Sequence, residues 1–142
     1  MILADVNVLM YAFRKDSARH LEYYAWLRNV LAGQSAYGVS PQALASVVRI
    51  STHPGIYREP SPLAQALAFC DDLLAPALST VVQPGERHWA IFRELCATSQ
   101  ATGNLVQDAW FAALAIEHGC EWITTDDDYR RFPGLRWRRP FQ

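Results

Sequence analysis

The sequence predicts an α/β protein of three layers, α/β/α, with a short central parallel sheet and helices on both faces. Three observations carry this prediction. Short apolar runs of strand length alternate with stretches of helical apolar spacing, the alternation that builds parallel sheets. Residues 109–116 are apolar on every side, so a helix there must lie centrally buried. The 142 residues are expected to form one domain spanning 1–142, a size that buries about 70% of the unfolded surface.

In chain order, residues 2–4 read as a buried strand ending on Asp5-Val6-Asn7. Residues 7–14 and 20–32 have helical spacing, the second through Leu21, Tyr24, Leu27, Val30 and Leu31, with Gly33 as its stop. Residues 37–39 read as a strand. Ser40-Pro41 then starts a helix, a cap residue followed by proline at the first helical position. Leu44, Val47 and Val48 face the core there, Gln42, Ser46 and Arg49 lie on another side, and His53-Pro54-Gly55 ends it. Ser61-Pro62 opens a helix over 63–74, and 78–82 is a strand. The helix over 86–99 is expected to turn Trp89, Phe92, Leu95 and Cys96 inward. Residues 103–119 hold the buried central helix, 121–125 a strand ending on Asp126-Asp127-Asp128, and 135–139 a last short strand.

Composition narrows the function classes. A hydrophobic share of 51% excludes disorder. Charged residues make up 19%, against about 25% in a typical soluble chain, and aromatics 12%, so apolar surface is expected to be covered by a partner. The net charge of −1 leaves no global basic footprint. Lys15 is the single lysine among 13 basic residues, which excludes a phosphate-binding loop built on lysine and a lysine Schiff base elsewhere. Cys70, Cys96 and Cys120 form no CxxC pair, and reduced thiols in the cytoplasm are expected. No secretory signal and no membrane span is expected: the longest apolar run falls far short of roughly 20 residues.

Four acids stand where buried elements are expected to begin or end. Asp5 ends the first strand, Asp126 and Asp128 follow the strand of 121–125, and Asp108 is expected to open the central helix. Ligands of open parallel sheets bind beyond the carboxyl ends of the strands. Carboxylates meeting there raise one another's pKa unless a cation neutralises them. No lysine or histidine lies within five residues of any of the four, so a hard divalent cation, Mg²⁺ or Mn²⁺, is the natural counter-charge. Taken singly, Asp5 and Asp108 also read as helix caps, and 126–128 as a solvated turn. An EF-hand loop is excluded, since Trp137 stands where its last ligand would be.

The opening Ile2-Leu3-Ala4-Asp5-Val6-Asn7-Val8-Leu9 resembles the first motif of PIN-domain ribonucleases, specifically VapC-type toxins of toxin–antitoxin pairs. Gly103-Asn104-Leu105-Val106-Gln107-Asp108-Ala109, followed by Ala112-Ala113-Leu114-Ala115-Ile116-Glu117-His118-Gly119, is similar to the third motif. Thr124-Thr125-Asp126-Asp127-Asp128-Tyr129 and Arg131-Phe132-Pro133-Gly134-Leu135-Arg136-Trp137 resemble the closing stretch. Val48-Arg49-Ile50-Ser51-Thr52-His53-Pro54 resembles an actinobacterial branch. One position departs. Many PIN domains carry Glu three residues before the arginine matching Arg49, where this chain has Ser46.

The resemblance implies a PIN-like fold and an Mg²⁺-dependent endoribonuclease, with Mn²⁺ as a substitute, that cuts RNA with a metal-activated water and inhibits translation and growth unless neutralised. It implies Asp5 and Asp108 as the main metal ligands, with Asp126 and Asp128 completing the set. Asn7 and Thr125 would orient Asp5 and Asp126, and Ser46 would anchor a water or serve as a weak ligand. Arg49, Arg130, Arg131 and Arg136 are candidate RNA contacts, with Tyr129, Phe132 and Trp137 between them as stacking surfaces; a solvated basic tail is the plainer reading of that stretch. A cognate VapB-like antitoxin laid across the acidic groove and a homodimer are also implied. The rival from another class is a catalytically weak PIN-like module that binds RNA or antitoxin, with Ser46 as its support. A haloacid-dehalogenase-type phosphatase is disfavoured by Asn7, and a receiver domain is excluded by the absence of a late lysine.

Overall fold

The computed structural model describes residues 1–141. Strand β1 (Ile2–Ala4) leads through α1 (Val6–Phe13) and α2 (His20–Ala32) to β2 (Tyr37–Val39). Helices α3 (Pro41–Ser51) and α4 (Leu63–Leu74) carry the chain to β3 (Ser79–Val81). Helices α5 (His88–Ser99) and α6 (Asn104–Glu117) then lead to β4 (Glu121–Ile123), a 3-10 helix (Asp127–Arg131) and β5 (Trp137–Arg138). The strands form one sheet in the order β3-β2-β1-β4-β5, parallel throughout. This is the three-layer α/β/α architecture the sequence predicts.

That order fixes where a site can form. From β1 the chain steps outward to β2 and β3, then returns across the sheet to β4 on the other side of β1. Crossovers between parallel strands are right-handed in nearly all proteins, so reversing the direction of stepping puts successive helices on opposite faces. The helices accordingly pack in two groups, α1 with α2 and α3 and α3 with α4, and separately α5 with α6. The reversal lies between β1 and β4, and the crevice beyond their carboxyl ends is the switch point of the sheet.

Leu3, Val8, Val47, Ala112, Leu114 and Trp122 are fully buried at the centre. Helix α6 is buried from Phe111 to Ala115, as its all-round apolar sequence requires. Ser40 caps α3, its Oγ accepting the Ala43 N–H at 3.2 Å. The three cysteines are free thiols, Cys70 and Cys120 buried.

Four expectations are corrected. Asp108 does not open the central helix: α6 starts at Asn104, which puts Asp108 in its second turn and removes any capping role. Trp89 is 67% exposed rather than inward, because α5 rests on α6 through Leu95 and the ring of His88 instead. On α2, Leu21 and Tyr24 are exposed and only Tyr23 and Leu27 are buried. Ser61 does not cap α4; its Oγ accepts a hydrogen bond from Arg14 at 3.1 Å. No described helix is long and apolar enough to cross a membrane.

Candidate active site

Residues Ala4 and Ile123 are paired across β1 and β4, so the chain leaves both strands at the same level of the crevice. Asp5 is the next residue after β1, and its backbone N–H donates to the Ile123 carbonyl at 2.8 Å. It is buried, and it caps α1: Oδ1 accepts the Val6 N–H at 2.7 Å. On the other side, Asp126 caps the 3-10 helix by accepting the Asp128 N–H at 2.9 Å. The capping reading is therefore correct for Asp5, and Asp126, read as part of a solvated turn, is a cap as well.

One carboxylate oxygen from each of Asp108, Asp126 and Asp128 lies within 4.8 Å of the others. The second turn of α6 meets the 3-10 helix here, and three acids from two segments share one space. Asp5 stands beside this trio. Burial pushes its carboxyl up to about 6; hydrogen bonds from Thr124 and Val6 oppose that, and the charges of Asp108 and Asp126 add to it. Asp108 is also pushed up to about 6, by burial first and then by the charges of Asp126 and Asp128, with a hydrogen bond from Tyr129 opposing. Such a site holds excess negative charge. The donors are all oxygens, and the side-chain Oδ1 of Asn7 is buried with no hydrogen-bond partner among the described residues. This donor set fits a hard divalent cation.

Two residues at the site were not legible as members of it. Thr124, fully buried, donates from Oγ1 to Asp5 Oδ2 at 2.7 Å and accepts the Asp126 N–H at 3.0 Å. Thr125, the expected partner of Asp126, makes neither contact; its carbonyl accepts from Arg139 at 3.0 Å. The available signal was the spacing of Thr124 and Asp126, since a hydroxyl readily accepts the N–H two residues on. Tyr129 donates to Asp108 Oδ1 at 3.4 Å. The expectation that Tyr129 and Phe132 offer stacking faces to bases is corrected, because both are core residues, 1% and 3% exposed.

The remaining candidates make no hydrogen bond or ion pair to the four acids among the described residues, except Arg131. Ser46 is half-buried on α3, and Arg49 is exposed in that helix's last turn with no ion pair among the described residues. Asp127 is shared by Arg130 at 3.4 Å and Arg139 at 2.8 Å. Arg131 stands 3.9 Å from Asp128. The expectation for Arg136 is corrected: it donates to the Gly119 carbonyl at 2.8 Å, before β4 begins, at the end of the sheet opposite the acids. The basic tail is exposed but largely engaged with its own acids and carbonyls.

Comparison with known proteins agrees with this geometry. Residues 2–135 match the PIN domain family. The chain is 37% identical over 140 residues to ribonuclease VapC43 of Mycobacterium tuberculosis, covering 99% of this chain and 95% of the relative. It is equally identical to ribonuclease VapC25 of the same organism, covering 99% of each. Its fold is similar to the structure of VapBC2 from Rickettsia felis bound to a DNA fragment from their promoter, with a TM-score of 0.71, 21% identity and 98% of each chain covered. A parallel sheet with acids gathered at its switch point, and these full-length similarities, place the chain in the PIN domain family, in its VapC branch.

Proposed function

We propose that this chain is a divalent-metal-dependent endoribonuclease toxin, restrained by a VapB-like antitoxin. The observation that carries the reading is the mutual approach, within 4.8 Å, of oxygens from Asp108, Asp126 and Asp128. In this reading Asp108, Asp126 and Asp128 hold an Mg²⁺ ion, with Mn²⁺ as a substitute, and Asp5 completes the acidic wall. A divalent cation in such a site polarises a phosphodiester and lowers the pKa of an attacking water.

The chain's own residues do the rest. Thr124 holds Asp5 through Oδ2 while the Val6 N–H holds Oδ1, so this carboxylate is pinned at both oxygens. The unpartnered Asn7 Oδ1 offers an acceptor to a water or ligand entering the crevice. Arg130 and Arg131 lie exposed on the 3-10 helix beside the acids and supply the positive charge a polyphosphate needs next to an acidic site. Arg131 is placed to leave Asp128 for phosphate, because an exposed pair at 3.9 Å is worth little.

The similarity to VapC ribonucleases and to VapBC2 supports RNA as substrate and an antitoxin as partner. Leu21, Leu63 and Trp89, 79%, 57% and 67% exposed, are apolar surface of the kind that a partner covers. The same reading includes a homodimer and action in the cytoplasm.

The test is cleavage of total cellular RNA by the antitoxin-free protein, beside Asp5→Ala and Asp108→Ala. Discrete fragments from the wild type alone, abolished by EDTA, are expected. Equal silence of all three proteins in Mg²⁺ and in Mn²⁺ would overturn the nuclease and favour a binding module with Ser46 in place of the missing Glu.

A further inference from the structure

Tyr129 has two properties that a core aromatic does not need together. Its ring is locked by Trp122 at 5.4 Å and Phe132 at 5.8 Å between centroids, and the residue is 1% exposed. Its hydroxyl nevertheless emerges among the acids, 3.4 Å from Asp108 Oδ1. Asp108 rides on α6, whereas Asp126 and Asp128 belong to the 3-10 segment that also carries Tyr129. This hydrogen bond therefore spans the two pieces of backbone that must meet to form the trio.

We propose that Tyr129 is a positioning residue whose hydroxyl holds the Asp108 carboxylate against the repulsion of Asp126 and Asp128, presetting the spacing of the cation site. The ring cannot swing away, so the O–H is fixed by packing rather than by the hydrogen bond itself. Oδ1 of Asp108 is engaged and Oδ2 is left for the cation. The arrangement mirrors Thr124 on Asp5: each of the two acids with a raised pKa receives one buried hydroxyl. This rests on the proposed reading of the acids as a cation site, and deepens it.

The experiment is Mn²⁺ titration, by calorimetry or electron paramagnetic resonance and without RNA, of wild type, Tyr129→Phe and Asp108→Asn. Tyr129→Phe keeps the ring and removes only the hydroxyl, so its melting temperature in EDTA should stay close to that of wild type. Its Mn²⁺ affinity should fall about three- to tenfold, the net worth of one ordinary hydrogen bond, as suits a contact of 3.4 Å. Asp108→Asn should lose the binding. If Tyr129→Phe binds Mn²⁺ within twofold of wild type while Asp108→Asn does not bind, the positioning role is wrong and the cation site stands. If wild type itself takes up no Mn²⁺, the cation site falls and the proposal with it.

Discussion

Thr124 shows what a single buried hydroxyl does at this site. Its oxygen is donor to Asp5 and acceptor from the Asp126 backbone, so one atom joins the ends of β1 and β4. Thr124→Val preserves the shape and leaves both partners unsatisfied in a buried place, at a cost of about 1–3 kcal/mol. A lower urea midpoint and slower RNA cleavage are expected, with Thr124→Ser restoring both. A valine variant as stable and as active as wild type would remove Thr124 from the site. Asp5 could be found from the sequence because an acid ending an apolar run is conspicuous. Thr124 could not be separated from Thr125, since only the pairing of Ala4 with Ile123 decides which of the two faces Asp5.

At the scale of elements, strand β2 depends on having no side chain at its centre. A Cβ on Gly38 would stand 2.9 Å from Val82 Cγ2, 3.2 Å from Leu3 Cδ1 and 3.3 Å from the Ile2 carbonyl. Gly38→Ala is expected to cost about 1–3 kcal/mol by overpacking, read as a fall in denaturation midpoint. A neutral Gly38→Ala would mean that β1 and Val82 move apart freely. The order and kind of the elements were legible because apolar periodicity and the Ser40-Pro41 start are local signals. Which side each amphipathic helix buries was less so. Trp89 points outward because α5 packs through Leu95 and His88, a choice made by its neighbour α6 and not by α5's own spacing.

For the whole molecule, the site is a charge problem that the fold leaves open. Asp5 and Asp108 bind protons with pKa values of about 6 in the folded protein, against about 3.9 for an unperturbed aspartate. Between those values the folded chain holds more protons than the unfolded one, so stability falls as the pH rises. This contribution is fully present below about pH 4 and lost above about pH 6. In the proposed reading a cation competes with those protons and binds only the folded arrangement. Millimolar Mg²⁺ should therefore raise the melting temperature near neutral pH and do nothing below about pH 4. Thermal melts across this window check it; an Mg²⁺ shift that is independent of pH would show that the ion binds elsewhere.

The amino-acid sequence by itself determined the α/β alternation, the burial of α6 and the family motifs that carry Asp5, Asp108, Asp126 and Asp128, because each is written in neighbouring residues. Only the tertiary structure decided that Asp108 approaches from inside a helix, that Thr124 and Tyr129 hydrogen-bond Asp5 and Asp108, and that Arg138 pairs with Glu121. Those are distances between segments far apart in the chain, fixed by strand order and by the meeting of α6 with the 3-10 helix. No local spacing encodes them.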